Sequence, residues 1–99
     1  MTNHVNDLSK KIKAIREADG VSQPVFAEKT GISISSLKKI EAGYTGVGSE
    51  TLVKLTMHPE YEKYTLWLMT GKVAPEAGQI SPDIESVGGI ASDQASKAG

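Results

Sequence analysis

The stretch GISISSLKKIEAG, Gly31–Gly43, begins and ends in glycine and holds a short helical pattern between them. Ile32, Leu37 and Ile40 fall where an inner face belongs, and Ser33 stands where a helix cap belongs. At ~100° per residue, with Ile34 as zero, Leu37 lies near ~300° and Ile40 near ~240°, so the buried direction is about 270°. Ser35 at ~100°, Lys39 at ~140°, Lys38 at ~40° and Ile34 itself make up the opposite stripe. An isoleucine among serines and lysines on an outward stripe is the feature that needs a reason.

Working outward, SQPVFAEKT (22–30) reads as a short helix with Ser22 as its cap and Pro24 in its first turn. Gly31 ends it in a tight turn, Ser33 caps the next helix, ISSLKKIEA, and Gly43 terminates that one. Further upstream, LSKKIKAIREAD (8–19) places Leu8, Ile12 and Ile15 at helical spacing, with Asp7 or Ser9 as candidate caps and Gly20 as the stop. Downstream, YTGVGS is a glycine-rich loop. Ser49 is expected to cap a fourth helix, ETLVKLTM, with Glu50 in its first turn. Pro59 is expected to open a fifth, EYEKYTLWLMT, ended by Gly71. Strand-like alternation is absent before residue 73, so the fold class is all-α, with five helices and a short, partly extended C-terminal tail.

Composition limits the function. The chain has 99 residues, no cysteine and a net charge of −1. Residues 1–72 hold ten Lys/Arg and eight Asp/Glu, a net of +2, whereas 73–99 hold one Lys and four Asp/Glu, a net of −3. A mildly basic front with an acidic tail hints at a polyanionic partner for the front. No apolar run is long enough to span a membrane, and the polar N-terminus lacks a signal-peptide stretch, so the expected setting is the cytoplasm. His4 and His58 stand alone, and no metal or other cofactor is expected. The GYTGVG loop lacks the lysine and helix of a phosphate cradle. No nucleophile–base pair is visible, and the chain is not expected to be an enzyme.

Two short helices joined by a tight glycine turn, with small Ala27 at their crossing, have the layout of a helix-turn-helix. The outward stripe suits a DNA major groove. Serine hydroxyls donate or accept at base edges, lysines reach guanine or phosphate, and an aliphatic group touches the thymine methyl. Ile34 then has two readings. It reads a thymine, or it tucks under the second helix, since it lies about a quarter-turn from the buried direction.

SQPVFAEKTGISISSLKKIEAG, through Gln23, Ala27, Gly31, Leu37, Ile40, Glu41 and Gly43, resembles the lambda-repressor-like (XRE) helix-turn-helix family over roughly residues 6–71. KYTLWLMTGKVAPEAGQISP (63–82) is similar to the corresponding region of the immunity repressors, or C proteins, of P-two-like temperate phages. The resemblance implies a dimeric repressor that maintains lysogeny by holding an operator at an early promoter. It places Gln23 at a phosphate or against the first turn of the third helix, and Ile34, Ser35, Lys38 and Lys39 at base-reading or groove-lining positions. It makes Glu41 structural, and puts Lys29 and Thr45 near the DNA backbone. Many family members carry a long polar residue where Ile34 stands.

The candidate DNA-binding set is thus Gln23, Ser33, Ile34, Ser35, Ser36, Lys38, Lys39 and Thr45, and the partner is double-stranded operator DNA. Helix five is apolar around most of its circumference, more than a small domain can bury alone. Its Tyr61, Tyr64, Leu66, Trp67, Leu68 and Met69, with Val73 and Ile80 of the tail, are therefore the candidate homodimer contacts. The expected division is a helix-turn-helix DNA-binding domain over 1–72 and a tail over 73–99, with 73–85 ordered at the dimer interface and 86–99 flexible. The 99 residues leave no room for the autoprotease domain of longer phage repressors, and the resemblance then implies an antagonist protein as the expected means of release. Two other readings compete. An antitoxin-type autoregulator keeps the DNA binding but co-purifies with a toxin. A protein-interaction adaptor lacks the salt-dependent DNA binding that phosphate neutralisation imposes.

Overall fold

The computed structural model describes residues 3–82. Five α-helices follow in order: α1 (Asn3–Asp19), α2 (Gln23–Thr30), α3 (Ile34–Glu41), α4 (Ser49–Thr56) and α5 (Thr65–Thr70). One-turn 3-10 segments cover Glu62–Tyr64 and Pro75–Ala77. The expectation of a flexible stretch over 86–99 lies outside the described residues.

The core gathers one side of every helix. Ile12 and Ile15 of α1, Phe26 of α2, Leu37 and Ile40 of α3, Leu55 of α4 and Leu68 of α5 are all at most 2 % exposed. α1 packs against both α3 and α5, α2 against α3, and the Glu62–Tyr64 turn against α4 and α5. Glycines make the sharp exits. Gly31 (φ 82°) and Gly43 (φ 80°) adopt the left-handed conformation that a Cβ would strain.

Several helix starts differ from the sequence reading. α1 begins at Asn3, so neither Asp7 nor Ser9 caps it. Ser9 is buried at 3 % exposure, and its hydroxyl has no hydrogen-bond partner among the described residues. Gly48, one residue before Ser49, is the N-cap of α4, and no side chain caps that end.

The fifth helix is the larger correction. It does not run from Pro59. The chain turns at His58, whose carbonyl accepts from both Tyr61 N–H (3.0 Å) and Glu62 N–H (2.9 Å), then makes a 3-10 turn and only afterwards a six-residue helix. Residues three apart eclipse in 3-10 geometry, which aims Tyr61 and Tyr64 at the same interior. Both are buried, at 2 % and 3 % exposure, as is Leu68 at 1 %. These three expected dimer contacts are therefore core residues of their own protomer and offer a partner no surface. What remains outside is Met69 (53 %) and Val73 (39 %), with Leu66, Trp67 and Ile80 half-buried.

Residues 74–80 of the tail bond to their own domain rather than standing free for a partner. Ala74 and Gln79 pair as an isolated antiparallel bridge around the Pro75–Ala77 turn. Gln79 Oε1 accepts from the Leu66 N–H (2.9 Å), one of the orphan donors at the start of α5, and its Nε2 donates to the Glu62 carbonyl (3.2 Å). The Ile80 N–H donates to the Lys63 carbonyl (2.9 Å).

Candidate nucleic-acid interface

Local chemistry sets the α2–turn–α3 unit. Ser22 Oγ accepts from the Val25 N–H (3.4 Å), and Pro24 occupies the first turn, where its missing N–H costs nothing. Thr30 closes α2. Its hydroxyl donates to the Phe26 carbonyl (2.8 Å) and accepts from the Ile32 N–H (3.3 Å), steering the chain round Gly31. Lys54 of α4 donates to the Gly31 carbonyl (3.0 Å), a cation at the negative end of α2. Ser33 Oγ accepts from the Ser36 N–H (3.1 Å) and starts α3. At the far end the Gly43 and Tyr44 N–H groups return to the Ile40 (3.0 Å) and Lys39 (2.9 Å) carbonyls.

A buried ionic group fixes the end of α3. Arg16 of α1 grips Glu41 with two bonds, Nε to Oε2 at 2.8 Å and Nη2 to Oε1 at 3.0 Å, and donates from Nη1 to the Val21 carbonyl (2.9 Å). Gln23 Nε2 donates to Glu41 Oε1 as well (2.9 Å). The Glu41 side chain is 3 % exposed and that of Arg16 14 %. The hydrogen bond to Glu41 is the main cause that raises the Arg16 guanidinium above its ordinary value. Gln23 thus braces the last turn of α3, not the first. Its amide oxygen remains available, and the side chain is half-buried.

With α3 held on its inner side, its outer face is open. Leu37 and Ile40 are 0 % and 2 % exposed, while Ser33, Ser35, Ser36, Lys38 and Lys39 are all exposed. Neither lysine's ammonium has a hydrogen bond or ion pair among the described residues. Ser33 uses an acceptor lone pair in its cap and keeps its proton to donate. Ile34, the first residue of α3, is 36 % exposed. Thr45 is exposed in the loop beyond Gly43.

Lys29 is not on this face. Its ammonium lies 2.7 Å from Asp19 Oδ2 and 2.7 Å from Glu60 Oε1, which withdraws it from the DNA-backbone role the resemblance implies. Two residues went unread in the sequence. Arg16 is separated from Glu41 by 25 positions, and no local pattern announces the pair. Tyr44 is 84 % exposed beside Thr45, held at the end of α3 by its own backbone bond. Its place just beyond the terminal glycine was the available signal.

A rigid helix with one face in the core and a hydroxyl- and lysine-bearing face outward, preceded by a capped helix and a glycine turn, defines a helix-turn-helix DNA-binding protein. Residues 12–58, from mid-α1 to just past α4, match the helix-turn-helix family. Over 83 residues, 84 % of each chain, the sequence is 34 % identical to the Repressor protein C of Escherichia phage P2. The chain belongs to that family and is a DNA-binding transcriptional repressor of the phage type. No described helix is long and apolar enough to cross a membrane.

Proposed function

We propose that the protein is an immunity repressor that occupies an operator at an early phage promoter as a homodimer, and that an antagonist protein releases it. The observation that carries this reading is the open face of α3: two lysines whose ammonium groups have no partner among the described residues, beside three exposed serines. Lys38, Lys39 and Ser35 face base edges. Ile34, at the start of α3, meets a thymine methyl. Ser33, Ser36, Gln23 and Thr45 flank them at the sugar-phosphate.

The dimer surface in this reading is smaller than the sequence suggests and comprises Leu66, Trp67, Met69, Val73 and Ile80. It adjoins a groove of about 510 Å³ lined by Thr56, Glu62, Thr65, Leu66, Ala74, Ala77 and Gln79. Two-fold pairing through this side sets two α3 helices about one DNA turn (~34 Å) apart. The second half-site then binds intramolecularly, which offsets the modest charge of each domain.

The test is selection of duplexes from a random-sequence pool, followed by footprinting and sedimentation. A single bipartite site, bound by a dimer with affinity falling steeply with salt, is expected. Enrichment of no sequence, or a monomer at micromolar concentration, would contradict the reading.

A further inference from the structure

Four side chains from three separate segments, the end of α1, the end of α2 and the turn before α5, close into one polar cluster. Lys29 Nζ lies 2.7 Å from Asp19 Oδ2 at the end of α1 and 2.7 Å from Glu60 Oε1 in the turn before α5. Tyr61 donates its hydroxyl to the same Asp19 Oδ2 (2.7 Å), and the Lys29 ammonium stands 5.4 Å from the Tyr61 ring centroid. The turn is held from behind. His58 Nδ1 accepts from the Glu60 N–H (3.0 Å), the His58 ring lies against Tyr61 (4.6 Å between centroids), and Tyr61 lies against Phe26 of α2 (5.1 Å).

The cluster responds as a unit. Hydrogen bonds to Asp19 and Glu60 raise the Lys29 ammonium above its ordinary value. Burial alone would raise the Asp19 carboxyl, but the bonds from Lys29 and Tyr61 outweigh it and hold the group below the usual range.

Topology gives the cluster a use beyond stability. α2 carries α3, and the Glu60–Tyr61 turn leads directly into α5, beside the surface assigned to the dimer partner. From the position of Lys29 and its three partners, we infer that Lys29 is a positioning residue that fixes the angle between the recognition helix and the α5 side, so that both half-sites are engaged at once. This inference rests on the homodimer reading above. The geometry is demanding. A rotation of about 5° over ~20 Å moves a side-chain tip nearly 2 Å, while hydrogen bonds hold their strength within only a few tenths of an ångström.

The discriminating quantity is the ratio of affinities for a two-half-site duplex and for the same duplex with one half-site scrambled, using the operator recovered by selection. A purely stabilising cluster lowers the folded fraction, and hence both affinities, by one factor. A positioning cluster lowers the two-site affinity selectively. For Lys29→Met the ratio is expected to fall at least about tenfold, and for Glu60→Gln about threefold. Lys29→Arg, which can span both carboxylates, is expected to keep it. Glu60 is exposed, so its variant carries little folding risk, and sedimentation without DNA should show an unchanged dimer in each case. Equal losses on both duplexes, or no loss on either, overturn the positioning role while leaving the dimer reading intact. A wild-type protein that binds both duplexes alike overturns both.

Discussion

The α2–α3 unit and the α5–tail unit are of similar length and use different means of support. In the first, every boundary has a bond made within three or four residues of itself, Ser22 to Val25, Thr30 to Phe26, Ser33 to Ser36, Gly43 to Ile40, with Lys54 and Arg16 added from afar at the ends of α2 and α3. In the second, Gly71 ends α5 locally by its bond to Trp67, but the approach to α5 is set from a distance. Gln79 holds the start of α5 from 13 residues away, and Tyr61 is anchored to Asp19 across 42. The unit that carries the proposed DNA surface thus draws more on locally made bonds, and the α5–tail unit more on the rest of the chain.

The largest expected effect breaks the ion pair that ties the end of α3 to α1. Arg16→Met leaves the Glu41 carboxylate, 3 % exposed, without its cation. Removing one partner of a buried pair costs about 3–5 kcal/mol. Urea denaturation should show that loss. A loss below ~1 kcal/mol would mean that Gln23 and water suffice to hold the end of α3.

Next in size is the contrast between neighbours on α5. Leu68→Ala should cost about 2–5 kcal/mol by cavity formation. Met69→Ala should cost less than ~0.5 kcal/mol within one protomer. Met69→Ala should instead weaken self-association in sedimentation. Equal stability losses would show that the inner and outer faces of α5 are misassigned.

A smaller effect concerns the remote cap. Gln79→Ala removes the acceptor of the Leu66 N–H, worth about 1 kcal/mol. Hydrogen exchange should show faster exchange at Leu66 and unchanged protection in α3. Loss of protection in both would mean that the two units open together.

The smallest effect is in pH. Asp19 is held below its ordinary 3.8, so its stabilising contribution is fully present above that value and is lost as pH falls through the lowered one. Tyr61, pushed up to about 12 first by burial and then by its bond to Asp19, contributes stability that is present below 10.0 and lost between 10 and 12. Melting temperature should therefore decline on both sides of a broad plateau. Asp19→Asn should flatten the acid decline and Tyr61→Phe should shift the alkaline one. An unchanged acid limb in Asp19→Asn would assign that limb to other carboxylates.

The same contrast explains what the sequence allowed one to read. Ser22, Pro24, Gly31, Ser33 and Gly43 act on neighbours, so the start, turn and stop of α2 and α3 were legible, as was the inward aim of Leu37 and Ile40. Pro59 misled because a helix start and a turn share the same residue, and the choice was made by Tyr61 and Tyr64 entering a core built by distant α1 and α2 residues. The apolar surplus of the fifth helix was real, but half of it lines the protomer's own core. On the candidate interface, Lys29 and Lys38 look alike in sequence. One lies between two carboxylates from other segments and the other faces outward alone, a distinction only tertiary structure makes.

The central claim is that the outer face of α3 reads DNA, and the most direct measurement is operator affinity against salt for Lys38→Ala and Lys39→Ala. Neither lysine makes a side-chain bond among the described residues, so thermal stability should stay within ~0.5 kcal/mol of the parent. A lysine at a base edge should cost about 1–3 kcal/mol and relax preference at one base pair. A lysine at a phosphate should weaken all sequences alike and lower the salt slope by about one. Operator affinity and salt slope unchanged in both variants, with the fold intact, would contradict the assignment of α3 as the recognition helix.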